Sequence, residues 1–139
     1  MEERATSRSS DGRTVAIFHY VWYMKVYGIK NCDTVKKALK WLDDHHITYE
    51  FHDFKKLGVS EEKLAEWDAK AGWEALINKR GTTWKKLDPA IQASVSNKQA
   101  AFQLMMEKTS VIRRPVIETQ GSFILGFNEA EYLERLGQV

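Results

Sequence analysis

The single cysteine of this sequence, Cys32, stands where a strand pattern gives way to a helix pattern. Residues 25–29 before it are rich in β-branched and aromatic side chains, and an apolar helical face begins at Val35. Its neighbours Asn31 and Asp33 are residue types that cap helices. A thiol at a helix start meets unpaired backbone N–H groups and the positive end of the helix dipole, and both favour the thiolate. An isolated cysteine is more often a small buried side chain, but the capping neighbours predict a reactive nucleophile here.

Basic side chains add to this candidate site. Lys30 and Lys36 are close to Cys32 in the sequence, and Arg80 lies in a basic loop predicted for residues 78–84. Each of these cations is a candidate for tuning the thiolate or binding a negatively charged substrate group. The alternative, a charge that is simply solvated at the surface, stays open for all three.

Composition limits the protein class. The 139 residues are 43% hydrophobic and 29% charged, which predicts one domain with a sizeable core. The formal net charge of +2 calls for neither nucleic acid nor a membrane surface as a partner. One cysteine excludes an internal disulfide, and the adjacent His45 and His46 have no further ligand at helical spacing, so no metal site is predicted. These features fit a reducing cytoplasm.

The first 23 residues differ from the rest of the chain. Residues 1–13 are polar, and the apolar run 15–23 is too short to span a bilayer and lacks a signal-peptide cleavage pattern. We interpret residues 1–23 as an N-terminal extension, disordered or not native, and residues 24–139 as the domain.

Two strands flank the first helix of that domain. Residues 47–54 alternate between two faces and predict a second strand, so a βαβ unit with parallel strands opens the fold. Residues 60–108 then read as almost wholly helical. The predicted N-caps in this stretch are Ser60, Asp88 and Ser96, and Leu64, Trp67 and Ala71 mark a buried helix face.

Strand patterns return in the last third of the sequence. Residues 111–119 and 122–126 flank a Gln120-Gly121 turn and predict a β-hairpin, and Asn128 caps a last helix with Leu133 and Leu136 facing inward. The order of elements is therefore β-α-β, a helical insert, and β-β-α.

This order resembles the thioredoxin fold of the glutaredoxin type, an α/β class, with the all-helical insert typical of the ArsC-type arsenate reductase family. The stretches that carry the resemblance are residues 28–34 (GIKNCDT), 72–84 (GWEALINKRGTTW), 112–116 (IRRPV) and 125–127 (LGF). They are similar to the YffB-like, Spx-related branch, whose members are suspected of being glutathione-dependent thiol reductases.

The resemblance implies roles for several residues. Cys32 is implied to be the nucleophile, and Arg114, directly before a cis Pro115, is implied to face it. An arginine beside a thiolate can stabilise the charge and bind an oxyanion or carboxylate through two parallel hydrogen bonds. Arg113, next to it, is expected to face solvent, because adjacent strand residues point to opposite faces. The residues implied or suggested to bind substrate or glutathione are Lys30, Asn31, Lys36, Arg80 and Pro115.

Without a second cysteine, the resolving thiol must come from another molecule. The leading hypothesis is therefore a thiol reductase with no bound cofactor, which uses glutathione as co-substrate or glutaredoxin as partner. Arsenate reduction coupled to glutaredoxin is the alternative. However, arsenate reductases of this type carry arginines where this sequence has Asn78 and the stretch 125–127.

A third hypothesis is a regulator of the Spx type that binds RNA polymerase. The usual signature of that group is a C-x-x-C switch, and here the residue three positions after Cys32 is Val35. A switch of that kind is impossible within this chain, although a polymerase-binding surface stays open. Neither membrane association nor direct binding of nucleic acid is expected.

Overall fold

A computed structural model describes residues 6–8, 14–16 and 24–137 of the chain. The elements in chain order are β1 (Thr6–Arg8), β2 (Thr14–Ala16), β3 (Met24–Gly28), α1 (Asp33–Asp44), β4 (Glu50–Asp53), α2 (Phe54–Leu57), α3 (Glu61–Ala71), α4 (Trp73–Leu76), α5 (Thr82–Lys85), α6 (Pro89–Ser94), α7 (Lys98–Glu107), a 3-10 turn (Thr109–Val111), β5 (Val116–Thr119), β6 (Phe123–Leu125) and α8 (Glu129–Leu136).

The centre of the molecule is a four-stranded mixed sheet in the order β4-β3-β5-β6. β3 and β4 are parallel, whereas β5 is antiparallel to both β3 and β6. This is the β-α-β, insert, β-β-α order predicted from the sequence, and the thioredoxin-like class with a helical insert is confirmed.

Both faces of the sheet are covered, because successive strand residues point to opposite sides. On one face, Val26 and Ile117 pack with residues of α1 and α8 such as Leu42 and Tyr132. On the other face, Tyr27 and Val116 pack with residues of the helical insert such as Trp67 and Met105, together with Phe54 of α2 and Ile112. The sheet is therefore the middle layer between two helical layers.

The second strand is shorter than its pattern predicts. β4 begins at Glu50, the residue opposite Lys25, and it ends at Asp53. Phe54 then starts the short helix α2, which the sequence pattern did not predict, and the Asp53 carboxylate caps it by accepting a hydrogen bond from the Lys55 N–H at 2.9 Å. The predicted alternation still holds, since Phe51 packs on one face and Phe54 on the other.

Two of the three predicted caps in the insert are confirmed. The side chains of Ser60 and Asp88 accept hydrogen bonds from backbone N–H groups in the first turns of α3 and α6. The prediction for Ser96 is wrong, because Asn97 caps α7 by accepting from the Ala100 N–H at 2.9 Å. A one-residue shift leaves the same apolar residues of α7 buried.

Three other details of the insert and last helix differ from the predictions. The basic loop 78–84 contains the start of α5, which begins at Thr82. Ala71 is exposed, because it is the last residue of α3, where Gly72 ends the helix with a φ of +87°. Leu133 is 59% exposed, and Tyr132 instead takes the inward position beside Leu136.

The predicted strand 111–119 is broken into three pieces. Val111 ends the 3-10 turn, Ile112 forms an isolated bridge with Ile77 of the insert, and β5 begins only at Val116 after the cis Arg114-Pro115 bond. The bridge explains the difference, because residue 112 pairs with the insert rather than with the central sheet.

Of the predicted N-terminal extension, residues 1–23, only β1 and β2 are described. They pair antiparallel as a two-stranded sheet of their own. The rest of that prediction lies outside the described residues.

Candidate active site

Three segments of the chain leave the central sheet at one edge. Gly28 of β3 lies opposite Asp53 of the parallel strand β4, so the segments that follow these two residues depart in the same direction. Val116, the first residue of β5, lies opposite Tyr27, so the residues before it reach the same edge. The loop to Cys32, the helix α2 and the segment before β5 therefore meet there.

Cys32 is the N-cap of α1. Its backbone is extended, with φ −131° and ψ 124°, and its carbonyl accepts the first helical hydrogen bond, from the Lys36 N–H at 2.9 Å. The residue is half-buried. The sulfur atom thus stands at the positive end of a 12-residue helix.

The surroundings of the sulfur favour the thiolate. Burial raises the pKa of the Cys32 thiol, but hydrogen bonding from the Val35 N–H, a hydrogen bond and the positive charge of Arg114, and hydrogen bonding from the Thr34 N–H together outweigh it. The pKa of Cys32 is therefore lowered. Hydrogen-bond donors and an adjacent cation are the features that activate cysteine nucleophiles.

Gly28 allows the first turn of α1 to approach the sheet. A Cβ atom at this position would lie 2.9 Å from Cγ2 of Val35, closer than side chains normally pack. Val35 is fully buried, and its backbone N–H is one of the donors that act on the sulfur. The glycine therefore helps to fix the distance between the strand end and the nucleophile.

The backbone of its own segment holds Arg114. Its Nη1 donates to the carbonyl of Ser110 at 2.6 Å and to that of Ile112 at 3.4 Å. Its Nε is buried and has no hydrogen-bond partner among the described residues. With Nη1 restrained in this way, the guanidinium acts on Cys32, and the structure brings these two predicted site residues together. The peptide bond to the buried Pro115 is cis, as the resemblance implies.

The other predicted site residues lie at the surface. Lys30, Asn31, Lys36 and Arg80 are all exposed. Among charged side chains, Arg114 has the largest effect on the Cys32 thiol. The structure therefore brings Arg114 to Cys32, whereas the side chains of these four residues lie at the protein surface.

Arg113 departs from its prediction. It is half-buried, and its Nε donates to the carbonyl of Ala75 in α4 at 3.0 Å. The prediction of a solvent-facing side chain assumed a strand at this position, whereas the strand begins only at Val116. Arg113 thus ties the segment before β5 to the insert.

Uncharged residues occupy the two places where the resemblance calls for a further arginine, at residue 78 and in the stretch 125–127. Asn78 accepts a hydrogen bond from the Arg80 N–H at 3.2 Å, and its own N–H donates to the Val111 carbonyl at 2.8 Å. Leu125 and Phe127 pack against the two hydrophobic clusters. Asn78 thus serves as a loop-forming residue, and the stretch 125–127 serves in packing.

Sequence reasoning missed the groups that support the site. The Ser110 carbonyl fixes Arg114, and the Lys55 Nζ donates to the Ser110 hydroxyl at 3.1 Å. No sequence pattern signals a backbone carbonyl as a support, and Lys55 lies 55 residues from Ser110 in the chain. Only the turn residues around 109–111 could have suggested an irregular segment there.

Within the described residues, no group of three or more His, Cys, Asp or Glu side chains is placed to hold a metal ion. None of the helices in the described part of the chain is long and apolar enough to cross a membrane.

Comparison with known proteins places this geometry in a family. The family model described as ArsC family matches residues 27–135. An uncharacterised protein of Haemophilus influenzae is 47% identical over 107 residues, covering 77% of this chain and 93% of that protein.

Two solved structures are similar to this one. The structure titled YFFB (PA3664) protein has a TM-score of 0.76 and 43% identity, covering 81% of this chain and 98% of the other. The solution structure of an arsenate reductase (ArsC) related protein from Brucella melitensis has a TM-score of 0.66 and 42% identity, covering 81% and 93%. The family model and these matches, together with the fold and the site geometry, show that the chain belongs to the ArsC family.

Proposed function

We propose that this protein is a cytoplasmic glutathione-dependent thiol reductase that uses Cys32 as its only catalytic thiol. The observation that carries the proposal is the activated sulfur: two backbone N–H groups and the Arg114 guanidinium lower the pKa of Cys32 against the effect of burial. A lowered thiol pKa increases the fraction of thiolate, the form that attacks disulfides.

The proposed reaction has two thiol–disulfide exchanges. First, the Cys32 thiolate attacks the glutathione sulfur of a mixed disulfide. A disulfide between Cys32 and glutathione forms, and the substrate leaves as a thiolate that takes up a proton. A second glutathione thiolate then attacks the glutathione sulfur on Cys32, which releases oxidised glutathione and restores the Cys32 thiolate. The substrate disulfide is reduced by two electrons, and glutathione is the reductant.

Arg114 has two roles in this scheme. Its positive charge stabilises the Cys32 thiolate before attack and after release. The same positive charge, held in place by the Nη1 bond to the Ser110 carbonyl, also attracts an anionic substrate group.

The test is reduction of a glutathionylated peptide, coupled to glutathione reductase. We expect turnover by the wild type, loss of turnover in Cys32→Ser and a clear reduction in Arg114→Ala. Arg135→Ala is the matched control, because Arg135 is paired with Glu131 on α8 and belongs to no part of the proposed site. Equal rates for the wild type and Cys32→Ser would overturn the proposal.

Arsenate reduction is a second candidate, favoured by the name of the Brucella melitensis relative and by the guanidinium beside the nucleophile. It ranks lower because Asn78, Leu125 and Phe127 occupy the positions where the resemblance calls for further arginines. An assay with arsenate, glutathione and glutaredoxin distinguishes the two. Arsenate turnover faster than reduction of the glutathionylated peptide would reverse the ranking.

A further inference from the structure

A cleft of about 480 Å³ is lined in part by residues 106–110, shortly before Arg114 in the chain, and is not used by the chemistry described above. Phe54, Lys55 and Gly58, in and after α2, also line it, as does Thr83 of the insert helix α5. The cleft is therefore built from segments that are far apart in sequence.

The position of the cleft relates it to the candidate active site. The α2 segment leaves the sheet at the same edge as the loop to Cys32, because Gly28 and Asp53 are paired. Ser110 lines the cleft, and its carbonyl holds the Arg114 guanidinium that acts on Cys32. One arginine side chain thus contacts a residue of the cleft lining and also acts on the sulfur.

The cleft carries both signs of charge. Lys55 and Lys108 are exposed lysines in its lining, and the Glu107 carboxylate lies beside Lys108 in the chain. Lys55 and Ser110 both line the cleft, and the Lys55 Nζ donates a hydrogen bond to the Ser110 hydroxyl at 3.1 Å. Cations, a carboxylate and hydroxyl groups around an open volume are the partners that a zwitterionic amino-acid group requires, one with both an ammonium and a carboxylate.

We propose that this cleft binds the γ-glutamyl end of glutathione while the glutathione sulfur meets Cys32, with Lys55 as the main partner of the γ-glutamyl α-carboxylate. This inference rests on the proposed function, because that function supplies glutathione as the ligand of the cleft. Lys55 is then a specificity-determining residue. The γ-glutamyl group is the part of glutathione that distinguishes it from the dipeptide cysteinylglycine.

Two mixed disulfides of one peptide, with glutathione and with cysteinylglycine, test this proposal. They differ only by the γ-glutamyl group. We expect Lys55→Ala to lower kcat/KM for the glutathione disulfide by roughly tenfold, the effect of losing one charge-assisted contact. The value for the cysteinylglycine disulfide should stay within about twofold. Lys56→Ala is the matched control, a neighbouring lysine on the same short helix that does not line the cleft.

Two results would overturn the inference. If Lys55→Ala leaves both substrates unaffected, the cleft does not contribute to recognition. If it lowers both equally and also shifts the pKa of Cys32, Lys55 acts through Ser110 and Arg114 rather than on the γ-glutamyl group.

Binding of S-methylglutathione separates this inference from the proposed function, because that ligand has no thiol and needs no turnover. By calorimetry, we expect Lys55→Ala to weaken its binding by roughly tenfold and Lys56→Ala to leave it unchanged. Lysine-dependent binding without turnover by the wild type would support the cleft and overturn the reductase. Turnover with binding that is the same in the wild type and Lys55→Ala would overturn the cleft alone.

Discussion

The ionisation of Cys32 reflects a competition between burial and hydrogen bonding. Removing a thiolate from water raises the pKa, and in a half-buried position that effect is large. The N–H groups of Val35 and Thr34 and the Arg114 guanidinium oppose it, and their combined effect is greater. The Cys32 thiolate is thus favoured by groups from two elements, the start of α1 and the segment before β5.

The first prediction concerns this thiol directly. The rate of iodoacetamide alkylation should rise with pH to a plateau whose midpoint lies below the ~8.5 of a free cysteine, because the thiolate is the form that reacts. Cys32 is the single cysteine of the chain, so the rate reports on one site. A midpoint at or above 8.5 would contradict the nucleophile assignment.

The second prediction separates the charge of Arg114 from its shape. Arg114→Ala should raise the pKa of Cys32 and lower turnover, because the substitution removes both a hydrogen bond and a positive charge from the thiolate. Arg114→Lys should restore the pKa in part but only some of the turnover, since a point charge lacks the planar donor set. The alkylation midpoint and kcat/KM are measured for both variants. Full activity in both would show that the arginine has no catalytic role.

The sequence alone pointed to Cys32 but not to the groups that surround its sulfur. Cys32 was predictable because capping residue types and helical periodicity are local signals. The role of Arg114 came from the family resemblance, since 82 positions separate residues 32 and 114 and no local pattern joins them. Lys30 and Lys36 are close to Cys32 in the sequence and are exposed in the structure, and their role in binding stays a prediction.

Between elements, Glu118 links the sheet to the insert. This residue of β5 accepts hydrogen bonds from the Tyr27 hydroxyl of β3 at 2.9 Å and from Nε1 of Trp67 in α3 at 2.6 Å. Lys63 of α3 lies 3.4 Å from the same carboxylate. Burial raises the pKa of Glu118, but these donors and the lysine charge hold it below its ordinary value. The carboxylate thus stabilises the packing of α3 on the sheet.

The third prediction is that Glu118→Ala lowers the free energy of unfolding by about 2–3 kcal/mol, because the fully buried Trp67 loses its charged acceptor. Urea unfolding followed by tryptophan fluorescence measures the change. Glu66→Ala is the control: its carboxylate also binds Lys63, but it is 57% exposed and should cost less than ~1 kcal/mol. Equal losses in the two variants would show that Glu118 is an ordinary surface carboxylate.

The same residue predicts a pH dependence. The folded-state pKa of Glu118 lies below its ordinary value of 4.5, so its contribution is complete above that pH and is lost as the pH falls through the lower folded value. The difference in unfolding free energy between the wild type and Glu118→Gln should therefore be constant from neutral pH to about pH 5 and shrink in more acidic solution. A difference that grows on acidification would have the wrong sign.

The fourth prediction tests the corrected start of α7. Asn97→Ala should destabilise the protein by about 1 kcal/mol, because it removes the acceptor for the Ala100 N–H. Ser96→Ala should change stability by less than about 0.5 kcal/mol, since the Ser96 side chain is exposed and does not cap the helix. Thermal unfolding of both variants measures the difference. A larger loss of stability for Ser96→Ala would show that Ser96 caps α7, as the sequence pattern predicts.

Element types were more predictable than their ends. Helical and strand periodicity is repeated over many residues, so β3, α1, α3 and α7 were found from pattern alone. The residue at which a helix or strand ends depends on single contacts. The 111–119 strand is broken because Ile112 pairs with Ile77, and that pairing joins residues 35 positions apart.

For the molecule as a whole, the covering of both sheet faces by helices follows from the alternation of apolar residues along the strands. Three of the four strands, β3, β5 and β6, place apolar residues on both faces, so helices must cover both. Sequence order alone did not specify which helices cover which face. The structure assigns α1 and α8 to one face and the insert to the other, where the contacts of Glu118, Arg113 and Ile112 join the insert to the sheet and to the site.

The last prediction is that a chain beginning at Met24 matches the full chain in melting temperature and in Cys32 alkylation rate. The central sheet and its two hydrophobic clusters are formed by residues from Met24 onward, among those whose side chains the structure describes. β1 and β2 pair with each other in a separate two-stranded sheet, and such a sheet contributes little stability by itself. In a domain of this size, a loss of about 1 kcal/mol shifts the melting temperature by several degrees, so calorimetry of the two chains is sensitive enough. A drop of that size on truncation, or a change in alkylation rate, would show that residues 1–23 stabilise the domain or its active site.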